Sequence, residues 1–279
     1  MGETSDSRKA TSEWKKEQVK RFVLSRAGIP RRFTVPSTYW PQSLEEGYRL
    51  QHEICRELVG RGERLVGYKI SCVAEEAMVP FGLLEPVYAP LFHGSSFATL
   101  AEAIAHPFVK PLVECELAFR MRETPKPDEG GEVSRGSLAR SISDMLIACE
   151  IADDRYAVPA TDIGSAVLLA DDFMNGGLVI GTPGVPFNEK LLQGLRAEVN
   201  VDGLVIREGP VQRIDPIAAV AWLVKKLHLH RRSLEPGHIV LTGSLVWPKE
   251  FRRNALISME IEGIGKLSVD SLAPEVFAR

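Results

Sequence analysis

The chain has 279 residues, 44% hydrophobic and 25% charged, an ordinary composition for a soluble globular protein. Its 34 Lys/Arg against 37 Asp/Glu leave a net charge of −3, which offers no general attraction for nucleic acid or an anionic membrane. No apolar run approaches the 18 or so residues of a membrane span, and "MGETSDSRKATSEWKK" lacks the apolar core of a secretory signal.

Residues 1–34 carry nine Lys/Arg against four Asp/Glu and read as a polar, basic extension, a solvated tail or surface helix. "SLEEGYRLQHEICRELVGRG" predicts a helix within a short helical part over 36–64, with Ser43 as N-cap and acids in the first turn. "RLVGYKIS" then alternates as a strand. Gly67, Lys69 and Ser71 share one face, leaving room for a ligand beside the ammonium.

"PLVECELAFRM", residues 111–121, is a second strand. Val113, Cys115, Leu117, Phe119 and Met121 form a wholly apolar face; Leu112, Glu114, Glu116, Ala118 and Arg120 form the other. "SISDMLIACEIADDRY" reads as a helical turn running into a short strand with Ala148, Glu150 and Ala152 on one face. "ADDFMNGGLVIGTP" gives a turn and a buried strand. "RAEVNVDGLVIREG" is a hairpin about Asp202-Gly203, and "DPIAAVAWLVKKLHLH" a helix with Pro216 in its first turn. His228 and His230, beside Arg231 and Arg232, read as a solvated cationic cluster at that helix's end. "HIVLTGSLV" and "ALISMEIEGIGKLSVD" supply the last strands. Without regular βαβ alternation, the pattern predicts an α+β domain over 65–279 around a mixed, folded-over sheet.

The four cysteines, at 55, 72, 115 and 149, form no C-x-x-C pair, so reduced thiols in a cytoplasmic protein are expected. Phosphate-loop, nucleophile-elbow and dinucleotide fingerprints are missing. What stands out is acid on apolar strands. Glu114 and Glu116 would sit roughly 7 Å apart on one strand face, and with Glu150 they could hold Mg²⁺ or Mn²⁺, which take oxygen ligands. The blander alternative is a wet strand face with Arg120 pairing one of the carboxylates. Lys69, if buried near a metal, could exchange protons near neutrality; otherwise it is an edge-strand lysine that discourages pairing.

In order, "VGYKIS", "PLVECELAFRM", "ACEIADDR", "LADDFMNGGLVIG", "DPIAAVAWLVKKL", "LEPGHIVLTGSL" and "IEGIG" resemble the 2-keto-4-pentenoate hydratase family, which includes the 4-oxalocrotonate decarboxylases, within the fumarylacetoacetase-like superfamily. The resemblance spans about residues 40–270. It implies a fumarylacetoacetase-like fold, a divalent cation (Mg²⁺ or Mn²⁺) on Glu114, Glu116 and Glu150, an active-site Lys69, and substrate contacts at Thr242, Gly243, Ser244 and Asp172. It also implies a homo-oligomer acting on a small 2-oxo acid. Departures are Ser71 for a glycine, Asp172 for an asparagine, and "EPVYAPLF" for P-D-[FY]-G, with Val87 in place of the aspartate and Ala89 in place of the glycine.

The expected chemistry is that of a metal-dependent lyase on 2-oxo acids or their 2-hydroxydienoate tautomers, hydratase-like, in aromatic catabolism. A decarboxylase or an acylpyruvate hydrolase is the alternative within the superfamily. A metal-binding pseudoenzyme is the alternative of another class. Val87 should dry the far end of the pocket and slow water delivery.

Overall fold

A computed structural model describes residues 12–207 and 215–269. The first eleven residues of the basic run and the last ten of the chain therefore lie outside it.

Two helices open the described chain, α1 (Ser12–Ser25) and α2 (Leu44–Gly60). α1 belongs to the packed fold. Its Phe22 is 0% exposed and sits in a core cluster with Ile54 of α2 and Leu168 and Phe173 from beyond the sheet strands. Lys16, Lys20 and Arg21 of this helix are exposed, which is why composition alone reads the stretch as a tail. α2 starts where Ser43 accepts a hydrogen bond from the Glu46 N–H at 3.2 Å, while Glu46 reaches back to the Gln42 N–H at 2.8 Å.

The main sheet is built from β1 (Leu65–Ser71), β2 (Val87–Phe92), β3 (Ser96–Phe97), β4 (Pro111–Met121), β5 (Ile142–Asp153), β6 (Asn175–Ile180) and β10 (Ile239–Ser244), in the order β2-β1-β10-β4-β5-β6-β3. The pairs β1/β10 and β3/β6 are parallel and the rest antiparallel, so the sheet is mixed as expected. Two short strands, β7 (Val185–Pro186) and β11 (Lys249–Glu250), extend it. A smaller antiparallel sheet holds β8 (Ala197–Val201), β9 (Leu204–Ile206), β12 (Ile257–Ile261) and β13 (Gly265–Ser268).

The alternation in β4 decides which way the main sheet faces. Val113, Cys115, Leu117, Phe119 and Met121 are all buried in the largest core cluster. That cluster also takes Val199 and Ile257 from the small sheet and Val220 and Leu223 from the helix Pro216–Leu229. The opposite face, carrying Lys69 and the glutamates, is left for the site. β5 is a strand of 12 residues, longer than its sequence suggests. Pairing with β4 along nearly its whole length, from Pro111↔Asp153 to Met121↔Ile142, overrides the local pattern.

The segment Ala160–Ile163, the helix Ser165–Ala170 and a turn at Asp172–Met174 lead into β6. In that turn Asp172, Phe173 and Met174 have φ of 57°, 48° and 64°. Three successive non-glycine residues in the left-handed region cost about 1–3 kcal/mol each, so the surroundings must hold them there.

Candidate active site

β1 is interior, between β2 and β10, and Lys69 is 3% exposed. The edge-strand reading of this lysine is thereby excluded. Gly67 has a role other than leaving room for a ligand. A Cβ there would lie 1.8 Å from Ile239 O, so only glycine lets β10 pair closely enough to fix Lys69 opposite Leu241.

The β4/β5 register sets Glu114 directly across from Glu150, and the β10 register sets Glu116 beside Ser244. Carboxylate oxygens of Glu114, Glu116 and Glu150 lie within 4.8 Å of one another. Arg120, the alternative partner, pairs instead with Asp144 at 3.6 Å. Lys69 Nζ donates to Glu150 Oε1 and to Phe173 O at 2.8 Å. Asn175 Nδ2 approaches the same Glu150 oxygen at 3.5 Å. The Gly243 N–H donates to Glu116 Oε2 at 2.7 Å.

Like charges directly opposite each other in a sheet repel. Burial, reinforced by Glu150, pushes Glu114 up to about 8. Burial, then Glu150 and Glu114, drive Glu116 well above the carboxylate range, and only the Gly243 N–H and Lys69 oppose this. Three carboxylates against one ammonium leave a formal deficit of two positive charges. The donor set is all oxygen and clustered, with Glu116 and Glu150 buried and Glu114 half-buried, and so fits a hard divalent cation.

A cavity of about 340 Å³ opens onto this cluster. Lys69, Ser71, Glu114, Glu116, Glu150, Gly243 and Ser244 line it, together with apolar residues. Two of the expected substrate contacts lie elsewhere. The Thr242 hydroxyl donates inward to Leu117 O at 2.9 Å. Asp172 is bonded to Arg26 at 2.6 Å, on the far side of the Asp172–Met174 turn from the cavity. Ser244 lines the cavity, but its hydroxyl donates to Val246 O at 2.7 Å. Val87 is 1% exposed, packed in the helical cluster and outside the cavity lining.

Several participants escaped the sequence reading. Phe173 contributes a carbonyl, which carries no residue-type signal. Arg26 and Asp172 form a buried pair 146 residues apart. The asparagine-to-aspartate departure thus has a partner: Arg26 also donates to Ala170 O at 3.0 Å. Behind it, Asp171 Oδ2 accepts from the Tyr156 hydroxyl at 2.9 Å and from Arg155 Nε at 3.1 Å, with Arg155 Nη2 ion-paired to the same oxygen at 2.8 Å. His230 is likewise no solvated cation. Its Nδ1 lies 2.6 Å from the Tyr88 hydroxyl, which also meets His52 Nε2 at 2.8 Å.

Among proteins of known activity, the 2-oxo-hept-4-ene-1,7-dioate hydratase of Escherichia coli is 25% identical over 232 residues, covering 81% of this chain and 86% of that one. The 4-oxalocrotonate decarboxylase of Pseudomonas putida is 22% identical over 236 residues, covering 84% and 88%. Among solved structures, 4-oxalocrotonate decarboxylase from Pseudomonas putida G7, complexed with magnesium and adipate, superposes with a TM-score of 0.79 at 18% identity, over 92% of this chain and 97% of that chain. The chain is homologous to these hydratases and decarboxylases and has their fold. No family model matches it. A protein of Yersinia pestis CO92 assigned to the fumarylacetoacetate hydrolase family superposes more loosely, with a TM-score of 0.52 at 14% identity over 72% of this chain and 90% of that chain. The fold is thus the fumarylacetoacetase-like one that the sequence motifs imply. None of the described helices is long and apolar enough to cross a membrane.

Proposed function

We propose that the protein is a divalent-metal-dependent lyase acting on a 2-oxo acid or its 2-hydroxydienoate tautomer, hydratase-like in its reaction. The observation that carries this reading is the meeting of Glu114, Glu116 and Glu150 beside a buried lysine at the floor of a largely apolar cavity. The names of its homologues, which include hydratases and decarboxylases, support the same chemistry.

Glu114, Glu116 and Glu150 would hold the cation, Mg²⁺ or Mn²⁺. When bound, it supplies Lewis-acid polarisation of the substrate's 2-oxygen. The Gly243 N–H fixes one Glu116 oxygen and thereby orients the carboxylate. Lys69, anchored by Glu150 and Phe173 O, is the proton carrier: its Nζ gives a proton to the substrate carbon chain and recovers one from the 2-hydroxyl. Water then adds across the remaining double bond and gives a 4-hydroxy-2-oxo acid. The apolar walls limit stray water around the exchanging proton.

The test is an ultraviolet assay of purified protein with Mg²⁺ or Mn²⁺ against 2-hydroxydienoates, 4-oxalocrotonate and acylpyruvates, with product identification. Loss of dienoate absorbance with appearance of a 4-hydroxy-2-oxo acid is expected. Carbon dioxide release or acylpyruvate cleavage as the faster reaction would replace the hydratase by a decarboxylase or a hydrolase. Metal binding with no turnover would leave a scaffold.

A further inference from the structure

The relatives' names divide on one chemical point. 2-Oxo-hept-4-ene-1,7-dioate and 4-oxalocrotonate carry a second carboxylate at the end remote from the 2-oxo group; 2-keto-4-pentenoate does not. The cavity walls of this chain bear on that choice.

Lys69, Ser71, the three glutamates, Gly243 and Ser244 line the cavity from the strands of the main sheet, and Glu76 is the one charged lining residue from outside them. The lining from outside those strands is mostly apolar and includes Val73, Pro80, Phe81, Met174, Trp247 and Pro248. Phe81 stands edge-on to Phe173 at 5.2 Å between centroids, which fixes one wall. Trp247 is 47% exposed, a large aromatic surface at the opening with water on its other side. Among the described residues, Lys69 is the sole cation lining the cavity, and Glu150 and Phe173 O already engage it. The remaining charged lining residue, Glu76, is an exposed carboxylate and would repel an anion.

We infer that the site selects 2-oxo acids, or their 2-hydroxydienoate tautomers, whose far end is apolar and uncharged, and discriminates against dicarboxylates, with Phe81 and Trp247 as specificity-determining side chains. The inference rests on the proposed function for the near end of the substrate. A carboxylate carried into this wall would lose water and meet no free cation, with the Trp247 indole N–H as the one donor of the apolar wall, which leaves a net desolvation cost. A methyl or larger apolar tail would instead bury surface against the two aromatic rings.

The experiment uses three substrates with identical near ends: 2-hydroxypenta-2,4-dienoate, 2-hydroxyhexa-2,4-dienoate and 2-hydroxyhepta-2,4-diene-1,7-dioate, each with Mg²⁺. The hexadienoate should match or exceed the pentadienoate in kcat/KM. The dioate should fall on the order of 10²-fold or more below both. Trp247→Arg, at a half-exposed site that tolerates charge, should raise the dioate relative to the hexadienoate by about 10-fold or more, mostly through KM, with Mg²⁺ affinity unchanged. A dioate turned over as well as the hexadienoate by the native protein overturns the inference. An unchanged ratio in Trp247→Arg overturns the place given to Trp247. Binding of the saturated analogues 2-oxohexanoate and 2-oxoheptanedioate to the Mg²⁺-loaded protein separates specificity from turnover. Tighter 2-oxohexanoate without any turnover keeps the selectivity and removes the lyase reading. Binding of neither analogue, with no turnover, overturns both.

Discussion

Arg26 and Asp172 make the prediction that tests most of the structure at once. Their side chains are 11% and 9% exposed, and the pair is joined at 2.6 Å. Removing one member of a buried ion pair costs about 3–5 kcal/mol, because the other charge is left without compensation. Here the loss is softened. Burial already raises the Asp172 carboxyl above its ordinary value and Arg26 is the chief influence holding it down, so without Arg26 the acid can take up a proton. Arg26→Met should therefore destabilise the fold by about 2–4 kcal/mol at neutral pH. For 279 residues, with an unfolding entropy of about 2.1 cal/mol/K per residue, this is a fall in Tm of about 3–7 °C. Asp172→Asn keeps an acceptor and should cost about 1 kcal/mol. The double variant should cost less than the sum by about 1–3 kcal/mol, read from urea unfolding at fixed metal concentration. Arg26→Met should also lower kcat, because the turn it secures presents the Phe173 carbonyl to Lys69. Additive costs within about 0.5 kcal/mol would refute the pairing as the source of the effect.

Glu116→Gln should weaken Mg²⁺ binding and abolish turnover while unfolding at unchanged or higher denaturant, since it relieves repulsion with Glu114 and Glu150; calorimetry giving native Mg²⁺ affinity in this variant and in Glu114→Gln and Glu150→Gln would remove the site. Lys69→Met should cut turnover by roughly 10²–10⁴-fold with Mg²⁺ affinity retained, and near-native rates at pH 7 would show that the proton travels another way. Val87→Asp buries a carboxylate in the helical cluster without a described partner, so it should destabilise by about 3 kcal/mol or more; a gain in hydration at unchanged stability would instead put that side chain on the cavity. His52 is held down to about 3, by burial first and then by Arg232 and His230, and His230 is lowered by burial and by Lys226 and Arg232, with Glu85 opposing. Both imidazoles are neutral in the fold at neutral pH, so the unfolded chain binds more protons below about pH 6.5, and their contribution is complete above that pH and lost as pH falls towards the His52 value of about 3. The loss of stability from pH 7 to pH 5 should be smaller in a His52→Gln/His230→Gln variant, and identical pH dependence of the two proteins would disprove the assignment.

The chemistry of the site was legible in the sequence wherever it rested on strand alternation. Period-two spacing in 111–121 gave both the core face and the same-face glutamates, and the structure reproduces each. Motif order gave the fold. What escaped was everything set by long-range packing. The length of β5 depends on its partner strand, the burial of α1 on elements more than a hundred residues away, and the environment of His230 on Tyr88 and His52. The placing of Val87 in the helical cluster, outside the cavity lining, escaped for a related reason. A residue aligned by neighbouring motifs inherits a family role, but its surroundings are decided by the helices that cover β2 in this chain.

Arg26 also changes where this protein can be cut. The basic opening stretch looks expendable to anyone trimming the chain for expression or building a chimera around residues 65–279. Its removal would take away Phe22 from the helical cluster and the guanidinium that secures Asp172. The turn carrying the Phe173 carbonyl would then hold its three left-handed residues with one fewer restraint, and Lys69 would lose a fixed anchor. A domain exchange at residue 64 is therefore safe only if the incoming segment brings its own arginine, or if position 172 returns to asparagine at the same time.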